Sequence, residues 1–431
     1  MKKFHGFGCA AALLLAIAPL ATSCGQKKHD IELTVWAATN VKAQFQEQAN
    51  RWAEKMAKEE NGGFDIGVTV SAVGEGEAAS NMITDVQAGA DLFCFAQDQL
   101  ARLRSAGALT EIVDAKLKAQ IIAENDEVSV SAASVGDSLV AYPLTSDNGF
   151  FMYYDKSVFP DESKLENLED IISICEAAGK KIYFNCVGSA WYNAAFFFGF
   201  GCESTWKTNS QGLFYEYTDT YNSDDGIKAC TALYNLANTH KAVFVDNGGA
   251  ADAWKQDDSG KISGAVCVSG TWDYTASVTA LGTNLGATDL PSVTVGDETV
   301  HLASFAGCKL MGVKPQTDAK RGALSQLLAQ ELTGAKCQLE RFEAYGWGPS
   351  NLVDQATDQV KASIALTALK KQNEYSVIQG QYPGDWWTSC AAIGQALAAE
   401  DCKGTRAEIK AILNKYESTI DSYINGEPDV A

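Results

Sequence analysis

From residue 31 to residue 112 the chain alternates two hydrophobic rhythms. IELTVWAA is a run of strand character. VKAQFQEQANRWAEKMAKEENGG then spaces its apolar residues along one helical face and stops at Gly-Gly. FDIGVTVSAV predicts a strand, EAASNMITDVQAGA a helix, DLFCFA a buried strand, and DQLARLRSAGALTEI a helix with a glycine stop. Alternating strand and helix make βαβ units, whose parallel strands share a sheet. DSLVAYPLTSDNGFFMYYDKSVF breaks the rhythm, with strand character on both sides of the turn-rich TSDNG. Turn residues Asp147, Asn148 and Gly149 there predict a passage between domains.

The second half resumes the pattern. KIYFNC is a strand and SAWYNAAFFFGFG an aromatic helix. NSDDGIKACTALYNLANTH opens on Ser223 as an N-cap, with acids in its first turn. GKISGAVCVSGTWDYTASV reads as strand, glycine turn and helix, and LASFAGCKLMGVKP as a strand pair. From NLVDQATDQVKASIALTALKK onward the tail is helical. A chain of 431 residues exceeds one ordinary core, so two α/β domains are expected.

Charge narrows the partners. With 34 basic against 54 acidic residues, the formal charge of −20 disfavours nucleic acid and anionic membrane surfaces. Arginine is scarce, which disfavours a phosphate or sulfate ligand. The chain has no G-x-S-x-G, no Walker loop and no H-E-x-x-H, so no catalytic residue, metal or cofactor is expected. GEGEAA at 74–79 has the spacing of a dinucleotide fingerprint, but Glu75 and Glu77 would repel a pyrophosphate. A tight turn aiming one carboxylate, Glu75, at a ligand is the preferred reading. Paired acids such as Asp98 and Asp147 keep a glycan-degrading enzyme as an alternative.

Aromatic residues gather at element ends. Trp36 closes the first strand and Phe95 a later one. Trp191 and Tyr192 open the aromatic helix, Trp272 sits in a strand-to-helix turn, and Trp386 and Trp387 follow Pro-Gly-Asp. Ligands of open α/β sheets lie outside the carboxyl ends of the strands. Flat rings there suit the C–H faces of a sugar, while neighbouring Asp, Glu and Asn accept its hydroxyl hydrogens. A polyamine or peptide would use the same rings.

FQEQANRWAEKM, GADLFCFAQDQLARLRSAGALTEI, AYPLTSDNGFFMYYDKSVF, GAVCVSGTWDY, FAGCKLMGV and RFEAYGWGPSN carry a resemblance. Over about residues 30–425 the chain resembles the sugar-binding branch of bacterial extracellular solute-binding proteins, the family of maltose-binding protein. The resemblance implies two α/β lobes, each a mostly parallel sheet flanked by helices, with the ligand between them. It implies lobe one at 31–146 plus 303–348 and lobe two at 149–301 plus 352–425, with hinge crossings near 145–149, 301–305 and 347–351. Matched by position, the implied ligand set is Phe95, Asp98, Asp147, Trp191, Trp272 and Trp386 as a sugar platform, with Trp387 partly buried beside it. Gln99 stands where relatives often have a base, and Asn40 and Val41 where maltose binders have an acid and a base. The implied role is a monomeric receptor, not an enzyme. It would bring a neutral oligosaccharide, a malto-oligosaccharide first of all, to an ABC transporter permease.

The N-terminus adds a location. MKKFHGFG is basic, and CAAALLLAIAPLA is apolar but too short to span a bilayer. LATSC resembles the lipobox of bacterial lipoproteins, with Ala21 in place of the usual leucine. That resemblance implies a signal peptide at 1–23, a lipid on Cys24, a tether at 24–30, and a protein held by its lipid at the outer face of the cell membrane. Among the later cysteines, Cys94, Cys267 and Cys308 lie in apolar strand runs, where cysteine acts as a small hydrophobe. Mostly free thiols are expected, with a Cys186–Cys202 bridge left open.

Overall fold

The computed structural model describes residues 29–58, 63–247 and 249–429. The expected signal peptide and Cys24 lie outside the described residues. In strand Ile31–Ala37, Leu33, Val35 and Ala37 turn inward at alternate positions. The strand runs parallel to Ile66–Ala72 in unbroken register, Ile31 opposite Ile66 through Ala37 opposite Ala72. Helix Lys42–Ala57 covers the pair, burying Phe45, Gln48, Ala49, Trp52 and Met56 at helical spacing.

Two five-stranded sheets organise the molecule. The first runs Ile66–Ala72, Ile31–Ala37, Leu92–Ala96, Lys309–Val313, Tyr142–Thr145. The second runs Phe244–Val245, Lys181–Tyr183, Gly264–Ser269, Phe151–Asp155, Leu285–Thr288. In each, four of the five strands point one way. The reversed strand is Lys309–Val313 in the first and Phe151–Asp155 in the second, each antiparallel to both neighbours. Each reversed strand is the one the chain makes on arriving from the other sheet. A chain crossing over enters the new sheet from the shared side and so runs against the strands that a βαβ unit lays down. The mostly parallel sheets expected from sequence are present with this one inversion apiece.

The apolar core under the first sheet draws on residues from Leu33 to Leu144 and from Cys308 to Trp347. Those under the second draw on residues from Phe150 to Phe305 and on the tail, including Leu369, Trp386 and Tyr416. The boundary expected between 351 and 352 is displaced. Helix Leu352–Gln355 packs on Ala335–Tyr345 of lobe one, and the Gln355 amide donates to Asp126 at 3.0 Å. The chain joins lobe two only at Ile364–Gln372, which packs on Leu285–Thr288. Asp354, Asn351 and Ser350 are buried against lobe one, where Gln338 accepts from the Ser350 amide at 2.7 Å.

Val377–Ile378 forms a short parallel pair with Phe305–Ala306, outside both main sheets. All ten cysteines among the described residues are free, nine of them buried, and Cys186 and Cys202 are unbridged. Among the described residues no helix is long and apolar enough to cross a membrane.

Candidate ligand-binding cleft

Carboxyl ends of strands from both sheets meet at the junction of the lobes. Strand Leu92–Ala96 delivers the 3₁₀ turn Gln97–Gln99, and Gly264–Ser269 delivers the turn Thr271–Asp273. Between them lies a cavity of 400 Å³. Lobe one lines it with Asn40, Glu75, Asp98, Arg102, Lys309 and Trp347, and lobe two with Trp191, Trp272 and Trp387. Asn148 and Gln379 sit at the passage between them.

The indoles form a wall with a defined backing. Trp191 stacks on Phe305 with centroids 4.8 Å apart and planes 19° apart. Trp387 lies 6.1 Å from Trp191. Both rings are half-buried, so one face of the pair is left to the cavity. Trp272 approaches from the turn Thr271–Asp273, and its carbonyl accepts a 3.4 Å hydrogen bond from Asn40 of lobe one.

Asp98 is the polar centre. Its carboxylate accepts from the Gln379 amide at 2.9 Å. Burial pushes its pKa up to about 7, against the pull of the Arg102 charge and the Trp387 indole N–H. Glu75 reaches the cavity from the turn before helix Ala78–Thr84, and its Oε1 is buried without a partner among the described residues. Gln99 is committed to that turn. It donates to the carbonyls of Glu75 at 2.8 Å and Gly76 at 3.1 Å, and accepts from the Ala79 amide at 3.0 Å.

The cleft brings together Asn40, Glu75, Asp98, Trp191, Trp272 and Trp387 from the sequence-derived set. Five others stand elsewhere. Phe95 is fully buried beside Phe93, because strand alternation turns it into the lobe-one core while Ala96 faces the cleft. Trp36 is half-buried against the same core. Tyr192 is buried edge-on to Phe150 and Phe184. Asp147 is sealed inside the crossing, accepting from the Thr271 hydroxyl at 2.5 Å and the Gly348 amide at 2.6 Å. The expectation for the tryptophan pair is reversed. Trp386 is fully buried, stacked on Tyr382 at 4.2 Å with its indole N–H on the Tyr416 hydroxyl at 3.0 Å. Trp387, about 100° further round helix Gly384–Leu397, faces the cavity instead.

Sequence reasoning missed Trp347, Lys309, Arg102, Asn148 and Gln379. A lysine inside the apolar run FAGCKLMGV and a tryptophan between two glycines were the available signals. A second cavity, of 690 Å³, shares Gln379 with the first, but no aromatic ring lines it.

The model of a family described as bacterial extracellular solute-binding protein matches residues 52–368. The chain belongs to that family. The two-lobed fold is shared with solved sugar-binding structures. A maltose/maltodextrin-binding domain from Bdellovibrio bacteriovorus, bound to maltotriose, is 16% identical with a TM-score of 0.74, covering 90% of this chain and 100% of its own. The Thermus thermophilus maltotriose-binding protein, also bound to maltotriose, is 17% identical with a TM-score of 0.73 and the same two coverages. The maltose-maltodextrin-binding protein of Alicyclobacillus acidocaldarius is 19% identical, with a TM-score of 0.70 over 90% of this chain and 100% of its own. No curated protein sequence matches the chain.

Proposed function

We propose that this solute-binding protein captures an oligosaccharide between its lobes and presents it to the permease of an ABC importer. The observation that carries the reading is the convergence of three half-buried indoles, Trp191, Trp272 and Trp387, on one cavity of 400 Å³. That volume lies within the ~300–1,000 Å³ usual for small-ligand sites. Pyranose rings offer C–H faces to such indoles, and their hydroxyls can reach Asn40, Glu75, Asp98, Asn148 and Gln379 around the rim.

The alternatives fit less well. A polyamine would meet two cations, Lys309 and Arg102, in the cavity. A glycosidase built on Asp98 and Asp147 would have one of its acids outside the cleft. In the same proposal Cys24 carries a lipid that tethers a monomer to the membrane beside its permease. The mass of the mature N-terminal peptide tests that part.

The central test is a thermal-shift panel of neutral and acidic oligosaccharides of increasing length. A ligand that binds only the native state raises the melting temperature. At least one oligosaccharide is expected to do so. A panel with no shift at millimolar concentration removes the reading.

A further inference from the structure

Lys309 is out of keeping with its surroundings. It begins strand Lys309–Val313, the reversed strand of lobe one, whose every residue is buried. The lysine is only 3% exposed. Its side chain reaches the cavity, with Nζ 3.9 Å from the centroid of the Trp347 ring and 5.4 Å from that of Trp272. Among the described residues, no carboxylate lies within 4.0 Å of that ammonium and no acceptor takes a hydrogen bond from it. Lys309 therefore holds its ammonium at the wall of the open cleft, among indoles and without an anion in contact. The indole faces attract the charge and fix where it sits, but they do not neutralise it.

A second cation lines the same space. The Arg102 guanidinium donates to the Ser80 hydroxyl at 3.1 Å and has no carboxylate partner among the described residues. Facing these two are the carboxyls of Glu75 and Asp98. Asp98, whose pKa burial holds near 7, is only partly charged at neutral pH. Arg102 acts electrostatically on Asp98, whereas among the described residues Lys309 has no anion in salt-bridge contact, in a chain of 54 acidic and 34 basic residues. Uncharged hydroxyls would give Lys309 dipoles only, whereas a ligand carboxylate would give it a charge-assisted bond shielded by two indoles.

We propose that Lys309 is the counter-ion of a carboxylate on the ligand, so that the cleft prefers an oligosaccharide containing a uronic acid over its uncharged counterpart. The inference rests on the oligosaccharide reading and replaces the sequence expectation of a neutral sugar. Glu75 and Asp98 then take hydroxyls of the same ligand, away from its carboxylate.

Calorimetry tests it on the full mature protein. The probes are trimers of galacturonate, glucuronate and mannuronate, each beside its carboxyl-reduced trimer of the same linkage, with maltotriose as a further neutral arm. At least one uronate trimer is expected to bind tenfold or more tightly than its reduced counterpart. Lys309→Met should abolish that difference, and Lys309→Gln, which keeps a polar tip, should do the same if methionine disturbs the fold. Equal affinity for acid and reduced trimers overturns the proposal, as does a preference that survives in both variants. Binding of maltotriose or reduced trimers alone overturns it and leaves the oligosaccharide reading standing. Silence from every sugar removes both.

Discussion

The two adjacent tryptophans pose the sharpest question at the scale of single residues. Trp386 is core and Trp387 faces the cleft, so the same substitution should have opposite consequences. Trp386→Ala should cost about 3–5 kcal/mol of stability, read by a denaturant melt. Trp387→Ala should leave the melt nearly unchanged and weaken sugar binding about tenfold or more, as expected for a lost aromatic contact and its buried area. Asp98 makes a second prediction. Its native pKa of about 7 stands above the ordinary 3.8, so between those values the folded state holds a proton that the unfolded chain has released. Stability from this group is therefore full below pH ~4 and falls as pH rises through ~7. Asp98→Asn should flatten that part of the stability–pH curve, and an unchanged slope would contradict it. Which tryptophan faces the cleft was not legible in the sequence. Helical spacing places the rings on different faces but does not say which face meets Tyr416, a partner thirty positions later. Asp98 was reached through the family resemblance, matched by position after the DLFCF strand, whereas Lys309 lay hidden in an apolar strand run.

Most strands and helices could be read from hydrophobic period alone, down to the Ser223 cap, which accepts from the Gly226 amide at 3.1 Å. The segment from Val377 to Pro383 could not, because it has no period. It works as a strap. Gln379 donates to Asp98, Gln381 donates to the Gln97 carbonyl at 2.8 Å, and the Ala101 amide donates to Gln381 at 2.8 Å. A tail that packs mainly with lobe two thus holds the first turns of a lobe-one helix. Gln381→Ala should free the Ala101 amide and speed hydrogen exchange across residues 99–103. Exchange identical to the parent protein would show that the strap is idle. The glutamines look like ordinary loop residues in the sequence, and only their partners, some 280 positions earlier, give them a role.

For the whole molecule, the passages between the sheets are the natural place for motion. Asp147 links two of them, through the amide of Gly348 and, across to lobe two, the hydroxyl of Thr271. Rigid lobes turning about these passages should close on ligand. Small-angle scattering should then show a smaller radius of gyration at saturation with a tight-binding sugar. An unchanged radius would place the motion elsewhere or deny it.

The reversed strand of lobe one also bears on the order in which the protein can be made. Tyr142–Thr145 reaches the rest of its sheet only through Lys309–Val313. A growing chain therefore cannot finish its first sheet until residue 313 has been synthesised, although the strands of the second sheet are all present by residue 288. The sheet that starts second is completed first. Contacts so distant in sequence are slow to form, so Tyr142–Thr145 and the free edge of Leu92–Ala96 must wait for a strand that arrives late. A chain cut after residue 300 should accordingly lack a cooperative transition for lobe one, and adding the missing strand as a separate peptide should begin to restore it.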